Sequence, residues 1–286
     1  MLEELARRHG LRVRVLDVDE TGWDFRVGHA VDAAGVRWVL RVPRRTEVAE
    51  QLEVERRLLA YLRTRLRVRL PEWEICSPEL VAYRRLPGRP LAPEHPETLE
   101  YQWWTEAPAE FFKVLGEVIA ELHRIPAEDV AALGIAASDG LRQELGVELR
   151  RAETELEVPA ARSRLWRAWL DDDRHWPGEH CFVHADLHPG HTLVDESGRL
   201  LGVLDWTDAA IDDPAVDFVA VHNAFGEAGL ERLLAAYRAA GGLPRPRLRE
   251  HIELLSGFRF GVSLGLHGLD TGNPGFVAIA QRRIRS

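Results

Sequence analysis

Three segments near the start of the chain alternate apolar and polar residues at a period of two. They cover residues 11–18, 23–31 and 36–43, and their β-branched and aromatic side chains are typical of strands. In residues 47–65 the apolar positions recur instead at helical spacing, and residues 78–91 add one more strand and a linker rich in proline and glycine. With a short helix at residues 2–9, the pattern predicts an antiparallel meander followed by one larger helix.

Beyond the linker the apolar spacing is mostly helical. It predicts helices at about 108–124, 141–153, 160–173, 214–224, 227–240 and 247–269. Residues 181–206 interrupt them with three short apolar runs joined by turns. The predicted fold class is therefore α+β, with a small antiparallel sheet region in residues 1–84 and a larger, mostly helical region in residues 85–286.

The composition narrows the functional classes. The net charge of −9 over 286 residues argues against nucleic acid as the main ligand. No stretch of 18 residues lacks Asp, Glu, Lys and Arg, and the first residues lack an apolar signal region, so we expect neither a membrane span nor secretion. Two cysteines far apart, Cys76 and Cys181, indicate a reducing, cytoplasmic location. We expect a monomer.

The segment HADLHPGH, residues 184–191, carries the densest candidate chemistry. His184, Asp186, His188 and His191 lie at a turn between two apolar strands, and Asp205 closes the next strand. Three imidazoles could bind zinc for a hydrolase, although Pro189 excludes the regular helix of an H-E-x-x-H site. Phosphoryl transfer fits the same residues, with Asp186 as the base and His191 and Asp205 as metal ligands. Nucleotide binding without turnover, or a solvated turn without a site, would also account for the pattern.

The string FVHADLHPGHTLVDESGRLLGVLDW, residues 182–206, resembles the catalytic and metal-binding segments of the aminoglycoside phosphotransferase and choline kinase superfamily. The macrolide 2′-phosphotransferases are the nearest branch. WVLRVPRR at 38–45, LEVERRLLAYL at 52–62 and DWTDAAIDDPAVDF at 205–218 extend the resemblance over nearly the whole chain. It implies a bilobal protein-kinase-like fold with a small sheet lobe and a larger helical lobe.

The resemblance also implies roles for single residues around the phosphates. Asp186 is the expected catalytic carboxylate, and Asp205 the expected Mg²⁺ ligand. His191 stands where most relatives carry asparagine, so it would ligate the metal directly, act through a water, or contact phosphate. Arg41 occupies the position of the phosphate-binding strand lysine, and Glu55 would hold it in place. His184 and Asp217 would brace the catalytic loop.

Further expected contacts concern the nucleotide. The turn at Thr21–Gly22 would cover the phosphates of GTP or ATP, because a glycine lets the backbone approach closely. Backbone groups near Val81, Ala82 and Tyr83 would read the purine edge.

The expected acceptor is a macrolide, a large apolar ring that carries an amino sugar. The apolar segment 256–280 suits such a ring better than a polycationic aminoglycoside. Candidate substrate residues are Phe225, Phe260 and Leu264 for the ring, and Asp208 and Asp270 for the amine; Phe258, Leu266 and Phe276 share the same apolar helices. The sequence thus predicts transfer of the γ-phosphate of GTP or ATP to a macrolide 2′-hydroxyl, which would inactivate the antibiotic. A kinase for an aminoglycoside or another small hydroxylated metabolite, and a catalytically silent nucleotide-binding protein, are the alternatives.

Overall fold

A five-stranded antiparallel sheet forms the first part of the fold. The computed structural model describes residues 1–20, 22, 24–138 and 140–285. The strands lie side by side in the order β1-β2-β3-β5-β4. Their bounds, with the two helices of this part, are α1 (Leu2–Arg8), β1 (Val13–Asp19), β2 (Phe25–Asp32), β3 (Arg37–Pro43), α2 (Thr46–Leu62), β4 (Trp73–Ser77) and β5 (Leu80–Arg84).

The alternation of apolar residues along β3 buries both faces of this sheet. Trp38 and Leu40 pack on one face with Leu2 of helix α1, whereas Val39 packs on the other face with Leu52 of helix α2. The sheet therefore lies between the two helices. The polar side chains of α2 are thereby positioned next to β3.

The second part of the fold is mostly helical and encloses two small sheets. β6 (Arg89–Pro90), β8 (Thr192–Val194) and β9 (Leu200–Val203) form one sheet, and β7 (Cys181–Val183) pairs with β10 (Ala210–Asp212) in the other. The helices are α3 (Ala109–Leu122), α4 (Ala127–Ala131), α5 (Leu141–Glu155), α6 (Ala160–Asp171), α7 (Val216–Ala239), α8 (Leu248–Phe258), α9 (Leu264–Asp270) and α10 (Pro274–Arg285).

The segment between α2 and β4 ties the two parts together. The amide of Arg69 donates to the carbonyl of Leu201 at 2.8 Å, and the amide of Val203 donates to the carbonyl of Arg69 at 3.0 Å. Strand β5 ends at Arg84, where the sequence predicts the boundary, but this pairing makes residues from the first part contact the second. The division into 1–84 and 85–286 stays a prediction.

The α+β fold class and its bilobal arrangement are confirmed, and the differences from the predicted elements have local causes. The break predicted between the helices at 214–224 and 227–240 is present within α7, because Gly226 has a non-helical backbone with φ 65° and ψ −164°. A π-helical turn at Arg259–Ser263 interrupts the helix predicted at 247–269. The prediction missed α4, α10, β4 and β10, of which three span five residues or fewer. No helix in the described part of the chain has the length and apolar composition to cross a bilayer.

Candidate functional site

The turn that carries Asp186 is strained and held by buried side chains. Ala185 has a φ of 70°, a left-handed conformation that costs a non-glycine residue about 1–2 kcal/mol. Its amide donates to the carboxylate of Asp217 at 2.8 Å, and Asp217 is fully buried at the start of α7. The buried ring of His184 donates from Nε2 to the carbonyl of Leu204 at 3.0 Å and accepts the amide of Asp186 at 3.2 Å. The sequence prediction of bracing by these two residues is thus matched by their contacts.

His191 lies between two carboxylates. Its Nδ1 is 3.2 Å from Oδ2 of Asp186 and 3.1 Å from the carbonyl oxygen of the same residue, and its Nε2 is 3.8 Å from Oδ2 of Asp205. Burial disfavours the charged ring, but the hydrogen bond and charge of Asp186, with Asp205, raise the pKa of His191 to about 9. Burial likewise opposes ionisation of Asp186, and His191 outweighs it, so the pKa of that carboxyl lies below its usual range. Imidazolium and carboxylate therefore coexist at neutral pH.

His188 completes a cluster with Asp186 and His191. The possible ligand atoms of these three residues lie within 4.8 Å of one another. Burial first, and then the charge of His191, lower the pKa of His188 to about 4, so its ring is neutral. Carboxylate oxygens of Asp186 and Asp205 are the donors that Mg²⁺ prefers, and the donor set fits that ion. Nitrogen is a poorer ligand for it, and a metal at Nε2 of His191 would have to replace the proton there.

Arg41 and Glu55 form an ion pair beneath the sheet. Both residues are 6% exposed, and Nη1 of Arg41 donates to Oε1 of Glu55 at 3.1 Å. The second nitrogen, Nη2, is 3.5 Å from Oδ1 of Asp205, and the guanidinium lies 3.8 Å from the ring centre of Phe25. Arg41 thus connects strand β3, helix α2 and the strand end that carries Asp205. Its expected role as the phosphate-binding cation stays a prediction.

These side chains meet around one cavity between the two parts of the fold. The central cavity, of 410 Å³, is lined by Arg41, Asp186, His191, Asp205, Thr207 and Asp208, with Gly22 and Asp24 above and Glu94, Tyr101 and Phe260 to the side. A Cβ on Gly22 would lie 2.7 Å from the carbonyl oxygen of Phe25, so only glycine fits this close approach. Thr21, the other residue of the predicted phosphate-covering turn, lies outside the described residues.

Two further spaces adjoin the central cavity. The hinge cleft, of 320 Å³, lies under the sheet and shares Val27, Arg41, His191 and Asp205 with it. The aromatic groove, of 540 Å³, is lined by Trp103, Trp104, Phe112 and Phe225. The ring centre of Trp103 in this groove lies 5.8 Å from the ring centre of Tyr101, which lines the central cavity. The hinge cleft and the central cavity lie at the junction of the two parts, and the lining residues of the aromatic groove belong to the second part.

The structure corrects the predicted purine contacts. Val81 and Ala82 are fully buried, and β5 pairs with β3 on one side and with β4 on the other, so their backbone groups serve the sheet. Of the three predicted residues only Tyr83 lines the hinge cleft, together with the later residues Arg85, Leu86 and Gly88. The backbone available to a base therefore begins after the strand ends.

The predicted substrate residues separate into two groups. Asp208 and Phe260 line the central cavity, and Phe225 lines the aromatic groove, 5.0 Å from the ring centre of Trp103. Partial burial, followed by the charges of Asp186, Asp205 and Asp24, raises the pKa of Asp208 to about 6. Phe258, Leu266 and Phe276 are all buried, so these three residues belong to the hydrophobic core.

Asp270 and Leu264 are corrections. Arg151 on α5 binds the exposed carboxylate of Asp270 through both terminal nitrogens, so Asp270 is not available to a substrate amine in the cavity. Leu264 is half-buried and is not among the residues found lining the three spaces. Four residues apart on a regular helix, Phe260 and Leu264 would share a face, but a π-helical turn at Arg259–Ser263 lies between them and Phe260 alone of the two lines the central cavity.

Sequence reasoning missed Glu94, Tyr101 and Trp103, which come from the connection between β6 and α3. Burial first, and then the charge of Asp186, raise the pKa of Glu94, which accepts a hydrogen bond from Tyr101. The sequence YQWWTE, with tryptophans at 103 and 104, was the signal that could have pointed to this connection as part of the site. Two tryptophans in a polar connection are unusual on a solvated loop.

Comparisons with known proteins agree with this geometry. A model of the phosphotransferase enzyme family matches residues 16–251. The chain is 40% identical over 256 residues to the uncharacterized protein YcbJ of Bacillus subtilis (strain 168). This match covers 87% of this chain and 84% of that protein. Two solved structures superpose closely at 38% identity each. The first, a macrolide 2′-phosphotransferase type I, has a TM-score of 0.87 with 99% of this chain and 95% of that chain covered.

The second is the macrolide 2′-phosphotransferase MphH from Brachybacterium faecium, as the apoenzyme. Its TM-score is 0.85, and the match covers 99% of this chain and 96% of that chain. The chain belongs to the phosphotransferase enzyme family, and its resemblance to macrolide 2′-phosphotransferases is confirmed.

Proposed function

We propose that this member of the phosphotransferase enzyme family transfers the γ-phosphate of GTP or ATP to the 2′-hydroxyl of a macrolide and so inactivates the antibiotic. The observation that carries the proposal is that Arg41, His191 and Asp205 line both the hinge cleft and the central cavity, with Asp186 next to them in the central cavity. A nucleotide with its base in the hinge cleft would direct its phosphates past two cations, Arg41 and His191. An acceptor in the central cavity would then face the terminal phosphate.

The chemistry assigned to these residues is placement and charge. Asp186 accepts the proton of the 2′-hydroxyl as the hydroxyl oxygen bonds to the γ-phosphorus; the bond from that phosphorus to the bridging oxygen breaks, and the nucleoside diphosphate leaves. The low pKa of Asp186 keeps it as a carboxylate that can take the proton. Arg41 and the His191 imidazolium neutralise oxygen charge during transfer. Mg²⁺, when bound, would supply further charge neutralisation, and Asp205 would hold it.

The shape of the acceptor side supports a macrolide. The aromatic groove, whose Trp103 ring lies 5.8 Å from Tyr101 of the central cavity, offers 540 Å³ lined mostly by apolar side chains, which suits a large ring better than a polycation. The carboxylates of Asp208 and Glu94 lie in the central cavity, where an ammonium next to the reacting hydroxyl would be placed. Phe225 on α7 and Phe260 in the π-helical turn would contact the ring. Gly22 and Tyr83 would contact the nucleotide.

We further propose that the chain acts as a monomer in the cytoplasm. Cys76 and Cys181 are both free thiols, which a reducing compartment maintains.

The test is phosphate transfer with Mg²⁺ from GTP and from ATP to erythromycin, kanamycin and choline in parallel, followed by mass spectrometry. Erythromycin alone should gain one phosphate. Asp186→Asn should abolish the gain, whereas Asp17→Asn, at an exposed position of β1, should retain it. Phosphorylation of kanamycin or choline instead would replace the macrolide by another acceptor, and nucleotide binding with no transfer to any acceptor would refute the enzyme.

A further inference from the structure

Asp205 has a backbone conformation that its own side chain does not favour. Its φ is 56°, in the left-handed region where non-glycine residues are uncommon. It follows β9 and precedes the buried Trp206, which is 1% exposed. A residue in such a conformation persists only when its surroundings hold it there.

Thr207 supplies the closest of these contacts. Its hydroxyl donates to Oδ1 of Asp205 at 2.8 Å, and its amide lies 3.5 Å from the same oxygen. Nη2 of Arg41 is also 3.5 Å from Oδ1. Three donors therefore gather on one carboxylate oxygen, and the other, Oδ2, is directed toward His191 at the central cavity.

The same hydroxyl reaches helix α2. Oγ1 of Thr207 is 3.5 Å from Oε2 of Glu55, whose other oxygen holds Arg41. Arg41, Glu55, Thr207 and Asp205 thus form a closed ring across the junction of the two parts of the fold. A hydroxyl carries one proton, and the shorter distance assigns that proton to Asp205.

We propose that Thr207 is a positioning residue that fixes Oδ1 of Asp205 and thereby presents Oδ2 to a divalent cation bound with the nucleotide. This inference rests on the proposed function, because it presumes that Asp205 meets Mg²⁺ and nucleotide. Side chains that orient a metal ligand typically change metal affinity about 10- to 100-fold when they are removed.

The test compares Thr207→Val, which removes the hydroxyl at nearly constant shape, with Thr207→Ser, which keeps it. Affinity for GDP and for ADP is measured by calorimetry in MgCl₂ and again in EDTA. In MgCl₂ the valine variant should bind about tenfold more weakly than the wild type, in EDTA it should bind equally, and the serine variant should match the wild type in both. Thr154→Val removes an exposed hydroxyl that donates to the Arg151 carbonyl, and it should change neither affinity.

The outcomes separate the inference from the proposed function. Equal Mg²⁺-dependent affinity in the wild type and Thr207→Val would overturn the positioning role while leaving the phosphotransferase intact. Equal weakening in MgCl₂ and EDTA would assign Thr207 to the fold or the nucleotide site and would also overturn it. A wild type that binds neither nucleotide would refute the proposed function, and the role of Thr207 with it. Should Thr207→Val fail to fold, Thr207→Ala provides the same comparison.

Discussion

Replacing Glu55 by glutamine tests whether the buried ion pair between β3 and α2 stabilises the fold and positions Arg41. The change keeps the size of the side chain and one acceptor oxygen for Arg41, but it removes the negative charge. Arg41 remains ionised in every environment that this fold offers, because the guanidinium pKa lies far above neutrality. Burial raises the pKa of Glu55, and Arg41 at 3.1 Å acts against that shift.

The expected cost follows from what Arg41 has left. Removal of one partner from a buried ion pair costs about 3–5 kcal/mol. The glutamine amide still accepts a hydrogen bond and Asp205 remains 3.5 Å from Nη2, so we expect about 2–3 kcal/mol. For a chain of this length, that corresponds to a fall in Tm of about 3–5 °C. Nucleotide KM should rise as well, since the guanidinium loses one of its two fixed partners.

A double variant is the matched control. Arg41→Met with Glu55→Leu replaces the pair by apolar groups, and such replacements are often neutral or stabilising. Asp205 keeps access to solvent in this variant, because its side chain is 39% exposed. The double variant should therefore melt within about 2 °C of the wild type and transfer no phosphate. Thermal melts by circular dichroism and a coupled diphosphate-release assay provide both readouts. An unchanged Tm in Glu55→Gln, or a double variant less stable than Glu55→Gln, would refute this account of the pair.

Three further predictions address the acceptor side and the stability of the helical part. Trp103→Ala should raise the macrolide KM about tenfold with nucleotide KM unchanged, because it removes a wall of the aromatic groove; Val147→Ala, on the exposed face of α5, serves as control. Asp208→Asn should raise the KM for a macrolide with a free amine and leave that of an amine-free analogue unchanged, as steady-state kinetics would show. Buried His251 accepts a hydrogen bond from the indole N–H of Trp169 at 3.0 Å, and burial lowers the pKa of His251 below 6.5. As the pH falls, the unfolded chain therefore binds a proton at this histidine before the folded chain does. The unfolding free energy should then decrease as the pH drops below about 6.5. His251→Gln should reduce that slope by up to about 1.4 kcal/mol per pH unit in urea titrations, and an unchanged slope would assign it to other groups.

The parts of the site that the sequence predicted are those set by neighbouring residues. Asp186 and His191 flank one turn between strands, so their spacing alone brings them together, and the structure places them 3.2 Å apart. Arg41 and Glu55 lie on adjacent elements, 14 residues apart, and the resemblance supplied their pairing. The sheet and most helices follow from periods of two and 3.6 because each element buries one face.

The parts that the sequence did not predict depend on distant contacts. Arg151 and Asp270 are 119 residues apart in the sequence, and no local pattern predicts that their side chains form an ion pair. Phe260 and Leu264 have helical spacing, but the helix is not regular between them, and Phe260 lines the cavity whereas Leu264 does not. Glu94 reaches the site from a connection that has no hydrophobic periodicity, so its position could not be predicted from the sequence pattern.

The two strained positions of the site suggest how the family's chemistry and its substrate range separate physically. Ala185 and Asp205 both have positive φ, and each is held by a hydrogen bond to a side chain, Asp217 for the first and Thr207 for the second. Loss of either contact releases a disfavoured backbone conformation beside a reacting group, so changes there affect every acceptor alike. Trp103 in the aromatic groove is 42% exposed and can change size at little cost to the fold. Differences in acceptor among chains with this fold should therefore concentrate along the connection that carries Trp103 and on the face of α7 opposite it, with the strained turns left as they are.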